Sequence, residues 1–205
     1  VCLPSAIEKR LMKNYKDCDT YKEIVYRPKI SGVEPLKHRP VIIGSGPCGL
    51  FAAYFLAQNG YRPLILERGK SVLERQKDVD LFWNTGVLDL ESNVQFGEGG
   101  AGTFSDGKLN SLVKDSDGRN REVLRIFVEA GAPEDIMYEA KPHIGTDVLV
   151  LVLQNMRHQI EEWGGTYQFQ SKVTGFLFEQ NQVKGVRLSD ESIIETENVI
   201  LAIGH

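Results

Sequence analysis

The sequence predicts an α/β fold organised on a βαβ unit at residues 39–67. Three observations predict it. Val41, Ile42 and Ile43 form a short apolar run, as a strand buried on both faces does. Gly44, Gly46 and Gly49 follow in the spacing G-x-G-x-x-G, and Leu50, Ala53, Tyr54 and Ala57 then recur at helical period up to Gly60. A second apolar run, Leu64, Ile65 and Leu66, ends on the acid Glu67.

Each residue type in this unit has a physical reason. Gly44 lets the chain turn sharply out of the strand, Gly46 lets a pyrophosphate approach the backbone, and Gly49 lets the helix pack close to the sheet. The helix N-terminus turns free N–H groups and a positive dipole end toward such an anion. Glu67 stands where an acid about 20 residues after the glycines accepts hydrogen bonds from an adenosine ribose. Its charge would repel a 2′-phosphate, so FAD or NAD fits better than NADP. A glycine-rich turn with no ligand would leave the three glycines and the terminal acid unexplained together.

The rest of the composition bounds the function. The chain has 205 residues, 41% hydrophobic and 25% charged, within the range of a globular protein with one good-sized core. A net charge of −4 offers no footprint for nucleic acid. The longest apolar stretch, 148–153, is far short of a membrane span. The three cysteines, Cys2, Cys18 and Cys48, are odd in number and far apart, which suits a reducing, cytoplasmic setting rather than a disulfide framework. No metal-ligand spacing occurs.

Taken in order, residues 1–38 read as an approach segment ahead of a domain over 39–205. A short amphipathic helix is expected over 7–15 and a strand over 21–26, before Pro28, Gly32, Pro35 and Pro40 punctuate a linker. Cys48 falls at a small-residue position of the glycine turn and reads as a packing residue, although a thiol at a helix N-terminus can be reactive. A helix over 71–81 is expected, capped by Ser71. Arg75 on it reads equally as a ligand for a phosphate or ribose and as a solvated surface residue.

Residues 92–110 hold a second glycine cluster, Gly97, Gly99, Gly100, Gly102 and Gly107, too glycine-rich for a helix or strand. Phe96, Phe104 and Leu109 interrupt it and call for burial, which favours ligand contact over a loose linker. Glu98, Ser105, Asp106 and Lys108 are its polar residues. A helical excursion occupies 111–145, with a helix over 119–130. The longest helix, 146–163, starts at a Thr146 cap and buries Leu149, Val152, Leu153, Met156, Ile160 and Trp163. His158 lies off that face. The runs 166–169, 173–178, 183–188 and 192–196 read as strands, with a hairpin-like turn at Asn181. A last buried strand, 198–203, delivers Gly204 over the same nucleotide as the first loop.

These motifs resemble those of bacterial NAD(P)/FAD-dependent oxidoreductases, often called FAD-dependent dehydrogenases. The likeness rests on VIIGSGPCGLFAA with ILERG, on NVQFGEGGAGTFSDGKLN, on KPHIGTD and on VILAIGH. It implies a Rossmann-like fold with a parallel sheet, helices and a small antiparallel sheet, and FAD as the cofactor. By the same likeness Gly44, Ser45, Gly46, Pro47, Cys48 and Gly49 would contact the pyrophosphate, Glu67 would hold the adenosine ribose, Arg68 would belong to the cofactor site, and Arg75 would lie near the ribose or phosphates. Gly99, Gly100, Ala101, Gly102, Thr103 and Lys108 would lie toward the pyrophosphate and flavin, the Val173 backbone would face the adenine, and Gly204 would close the site. Relatives of this kind carry Ala in place of Cys48 and extend beyond both ends, so the chain is expected to be a fragment.

Three functions stay open from the sequence. The first is a flavin oxidoreductase taking hydride from NAD(P)H or an organic donor and passing it to an acceptor. The second is an NAD-binding dehydrogenase or sensor, and the third a non-catalytic FAD-binding module. No Cys pair follows Glu67, which sets disulfide reductase chemistry aside. The expected partner is a small-molecule substrate or acceptor. Asp106, Lys108 and His143 are candidates by polarity alone, and no residue pattern assigns a catalytic acid, a base or an oligomeric state.

Overall fold

The computed structural model describes residues 3–16, 24–105, 107–109, 114–139 and 141–204. Cys2, Cys18, Asp106 and His205, and the first half of the strand expected over 21–26, lie outside them. Residues 24–26 form no strand.

Helix α1 (Ser5–Asn14) buries none of its residues. The domain proper begins with β1 (Val41–Ile43), α2 (Pro47–Gln58) and β2 (Leu64–Leu66). Proline at the first position of α2 is tolerated because that N–H has no helical partner. Helix α3 (Val72–Thr85) outruns the expected stop and ends on Gly86 in the left-handed conformation. Next come α4 (Arg119–Glu129) and α5 (Thr146–Glu162), then β3 (Thr166–Gln168), β4 (Val173–Glu179), β5 (Gln182–Leu188), β6 (Ile193–Glu195) and β7 (Val199–Leu201).

The strands form two sheets. A parallel sheet has the order β3-β2-β1-β7, with Val41 opposite Leu64 on one side and Val199 on the other. The run expected as a strand over 166–169 is β3, which pairs with β2 at the edge of this sheet. The antiparallel sheet is β4-β5-β6, with Gln180 and Asn181 both at positive φ in the tight turn between β4 and β5.

Alternation along β1 and β2 divides the core between the faces. Ile42 and Ile65 point to the helical side, among Leu50, Ala53, Val152 and Met156. Val41, Ile43 and Leu66 point to the antiparallel sheet, against Val186 and Leu188. Truncating a fully buried Ile42 or Ile65 to alanine would cost about 2–5 kcal/mol. The segment expected as an excursion packs on this domain: Ile126, Ile136 and Ile144 join the helical-side core, and Phe127 meets Phe51 at 5.4 Å. No helix among the described residues is long and apolar enough to cross a membrane.

A cradle of two glycine loops

In the parallel sheet the strand order reverses between β1 and β7, the switch point at whose carboxyl ends open α/β sheets bind their ligands. The first glycine loop leaves β1 there. Gly44 donates to Leu66 O at 2.8 Å and has φ +98°, and a Cβ on it would sit 2.5 Å from Ala202 O at the end of β7. A Cβ on Gly49 would lie 1.9 Å from Gly44 O, so only glycine lets α2 start this close to the turn. No side chain caps the α2 N-terminus. Gly204, past β7, faces open space, since a Cβ there would meet nothing within 4 Å.

Glu67, at the tip of β2, is buried against this loop. Its Oε2 accepts from Ser45 N at 2.8 Å and Ser45 Oγ at 2.7 Å, and its Oε1 accepts from Gly69 N at 2.9 Å. A carboxylate has about four acceptor positions. Three are taken, so a ribose diol would use the fourth and displace the Ser45 hydroxyl.

The second loop lies on the first. Gly99 N donates to Ser45 O at 2.9 Å, and a Cβ on Gly100 would lie 3.1 Å from Gly46 Cα and 3.2 Å from Pro47 Cδ. A turn of 3-10 helix, Ala101–Phe104, carries the chain away with Ala101 and Gly102 exposed. Thr103 is buried, and its Oγ1 has no hydrogen-bond partner. Phe96, Phe104 and Leu109 are half-buried, the last two against the helical-side core.

Arg75 holds this loop from behind. It is neither a surface residue nor open to a phosphate: it is 0% exposed, and Nε, Nη1 and Nη2 donate to Asn93 O, Glu98 O and Val94 O at 2.8, 2.7 and 2.9 Å. Burial lowers its pKa to about 10, so it stays cationic at neutral pH. Glu98 answers in the other direction, its Oε2 accepting from Val72 N at 2.7 Å. The Glu98 carboxyl group thus bonds the first N–H of α3, while Ser71, at the expected N-cap position, turns its hydroxyl to Glu74.

Other predicted residues sit at the margins. Arg68 Nε donates to Glu91 Oε2 at 2.6 Å, its guanidinium lies 3.9 Å from the Phe96 ring centre, and Lys172 holds the other Glu91 oxygen at 2.8 Å. A hollow of about 380 Å³ beside it is bordered by Lys70, Ser92 and Ser189 as well. Cys48, expected to pack, is exposed. Val173 opens β4 and packs toward the antiparallel-sheet core. Lys108 is exposed and pairs by its backbone with His143 ahead of α5. Thr146 is the first residue of α5 rather than its cap, which is Gly145. His158 is exposed beside Glu162. The sequence offered no signal for the roles of Glu98, Arg157 or Tyr167, because their partners lie on other elements.

Comparison with known proteins agrees with this geometry. Residues 42–80 match the NAD(P)-binding Rossmann-like domain family. An uncharacterised protein of Clostridium beijerinckii is 45% identical over 200 residues, which is 97% of this chain and 37% of that protein. The chain therefore spans little more than a third of the length of that relative. The crystal structure of THI4 from Thermovibrio ammonificans has the same fold, with a TM-score of 0.51 at 22% identity, covering 82% of this chain and 58% of that one. The fold is Rossmann-like, with a parallel four-stranded sheet, helices and a small antiparallel three-stranded sheet, and its βαβ unit is the part that resembles NAD(P)-binding domains.

Proposed function

We propose that this chain is the FAD-binding part of an oxidoreductase. The observation that carries this reading is the meeting of the two glycine loops, Gly99–Gly100 on Ser45–Gly46, beside the Glu67 carboxylate and the uncapped α2 N-terminus. The residues fit a dinucleotide. Backbone at Gly44, Ser45, Gly46, Pro47, Cys48 and Gly49 would hold the pyrophosphate against the α2 dipole. Glu67 would hold the adenosine ribose. Gly99, Gly100, Ala101, Gly102 and Thr103 would cover the pyrophosphate toward the flavin, with the free Thr103 hydroxyl as a buried hydrogen-bonding group. Gly204 would close the site, and the Val173 backbone would face the adenine.

When bound, FAD supplies hydride transfer between a nicotinamide or organic donor and a small-molecule acceptor. The protein's part is to fix the cofactor, exclude water beneath the loops and reject a 2′-phosphate. Glu67 opposes that phosphate by charge, and Arg68 is already committed to Glu91 and Phe96. Arg75 acts through the loop carbonyls, as a positioning residue.

The test is the visible spectrum of the purified chain, followed by titration with FAD and with NAD. Bound FAD, or uptake on addition, is the expected result. Uptake of NAD with none of FAD would replace this reading with an NAD-binding dehydrogenase or sensor. Bound FAD that neither NADH nor NADPH bleaches without air would leave a binding module.

A further inference from the structure

Glu98 is 1% exposed at the junction of three elements. Its Oε2 takes Val72 N–H of α3, its backbone carbonyl takes Arg75 Nη1, and Arg157 Nη1 of α5 stands 3.4 Å from Oε2. Its Oε1 is buried with no partner, as is the Tyr167 hydroxyl of β3 within electrostatic reach. The next residue, Gly99, makes the hydrogen bond that joins the two glycine loops. Whatever moves Glu98 therefore moves the roof of the cradle.

We propose that Glu98 is a positioning residue and a proton-operated latch: as a neutral acid it holds the second glycine loop on the first, and when it ionises the loop loosens. The charged groups facing it are few. Arg157 and Glu161 come from α5, Arg75 from α3 and Glu67 from β2. Arg157, 3.4 Å from Oε2, and the Arg75 guanidinium favour ionisation, and the two acids oppose it. Against the two cations also stand the near-complete burial of the carboxyl group and its unpartnered Oε1, which disfavour the charged form. Burial pushes the Glu98 pKa up to about 7, with Arg157 pulling the other way. A pKa raised on folding stabilises the closed form fully below the ordinary carboxylate range, and that stabilisation is lost as pH rises through 7.

The decisive measurement is amide hydrogen exchange at Gly99, corrected for base catalysis, between pH 5 and 8. In the wild-type chain protection should fall about tenfold from pH 6 to 8. In Glu98→Gln, where the amide oxygen can still accept from Val72 N–H, it should stay flat. An equal fall in both, or none in the wild type, overturns the latch. Should the variant not fold, the carboxyl ¹³C titration of Glu98 in the wild-type chain decides: a midpoint near 7 supports the proposal and one near the ordinary value of about 4.3 sinks it. The effect on ligand rests on the FAD reading. FAD affinity should fall over the same pH interval in the wild type and not in the variant, and parallel profiles would overturn that coupling. Should FAD bind at no pH, the functional reading fails while Gly99 exchange still judges the latch.

Discussion

The two glycine loops meet face to face, yet they are held in opposite ways. The first is placed by its own neighbours: β1 enters it, α2 leaves it, and Gly44 and Gly49 remove the atoms that would collide. The second has no strand or long helix of its own. Buried polar side chains from elsewhere in the chain fasten it, above all Arg75 and Glu98, through main-chain groups. A cradle wall made of local backbone fails by steric collision. One tied down from a distance fails when a single tie is cut, and the variants below separate the two.

The largest effect should come from Arg75→Ala. It leaves a cavity and three carbonyls without donors, so chemical denaturation should show a loss of roughly 3–5 kcal/mol, with dinucleotide binding abolished. A variant within 1 kcal/mol of the wild type would mean that the second loop holds itself. Next is Gly49→Ala. Its methyl would lie 1.9 Å from the Gly44 carbonyl, which is backbone and cannot swing aside, so α2 must back away. A cost of about 3 kcal/mol is expected by the same measurement.

Glu67→Gln keeps the size but not both acceptors. One of the backbone donors, Ser45 N–H or Gly69 N–H, then faces an amide nitrogen. Stability should drop by about 1–2 kcal/mol and affinity for an adenine dinucleotide by about tenfold, read by calorimetry.

Glu91 gives a smaller effect of opposite pH sign to Glu98. Its hydrogen bond from Lys172, then that from Arg68, lowers its pKa. Its contribution is therefore present above its unfolded pKa and lost as pH falls through the folded one. The pair is partly exposed, so the acid-side loss should be under about 1 kcal/mol, and thermal melts of Glu91→Gln should lack it. Gly102→Ala is the neutral reference: a Cβ there meets nothing within 4 Å, and the change should stay within about 0.5 kcal/mol.

This contrast also explains what could be read from the residues alone. The βαβ unit was legible because its signals are local: apolar runs, a glycine triplet at fixed spacing and an acid at a strand tip. Ser71 takes the expected cap position of α3, but the side chain that bonds there is Glu98; Thr146 misled, since Gly145 takes the cap position of α5. Arg75 read equally as a ligand for a phosphate or ribose and as a surface arginine, because the carbonyls it serves lie across a loop. The strand over 166–169 was legible as a strand, but its sheet was not, since its parallel neighbour, β2, comes a hundred residues earlier and leaves no local trace.

The pairing of Val41 with Val199 has a kinetic consequence. The first loop is synthesised early, but Ala202, which stands against Gly44, comes only after β7. The crevice wall beyond β1 cannot exist until that late strand docks, and closing so long a stretch of chain is slow. A nascent polypeptide carrying the whole glycine triplet is thus expected to stay blind to the proposed dinucleotide until residues 199–201 have left the ribosome.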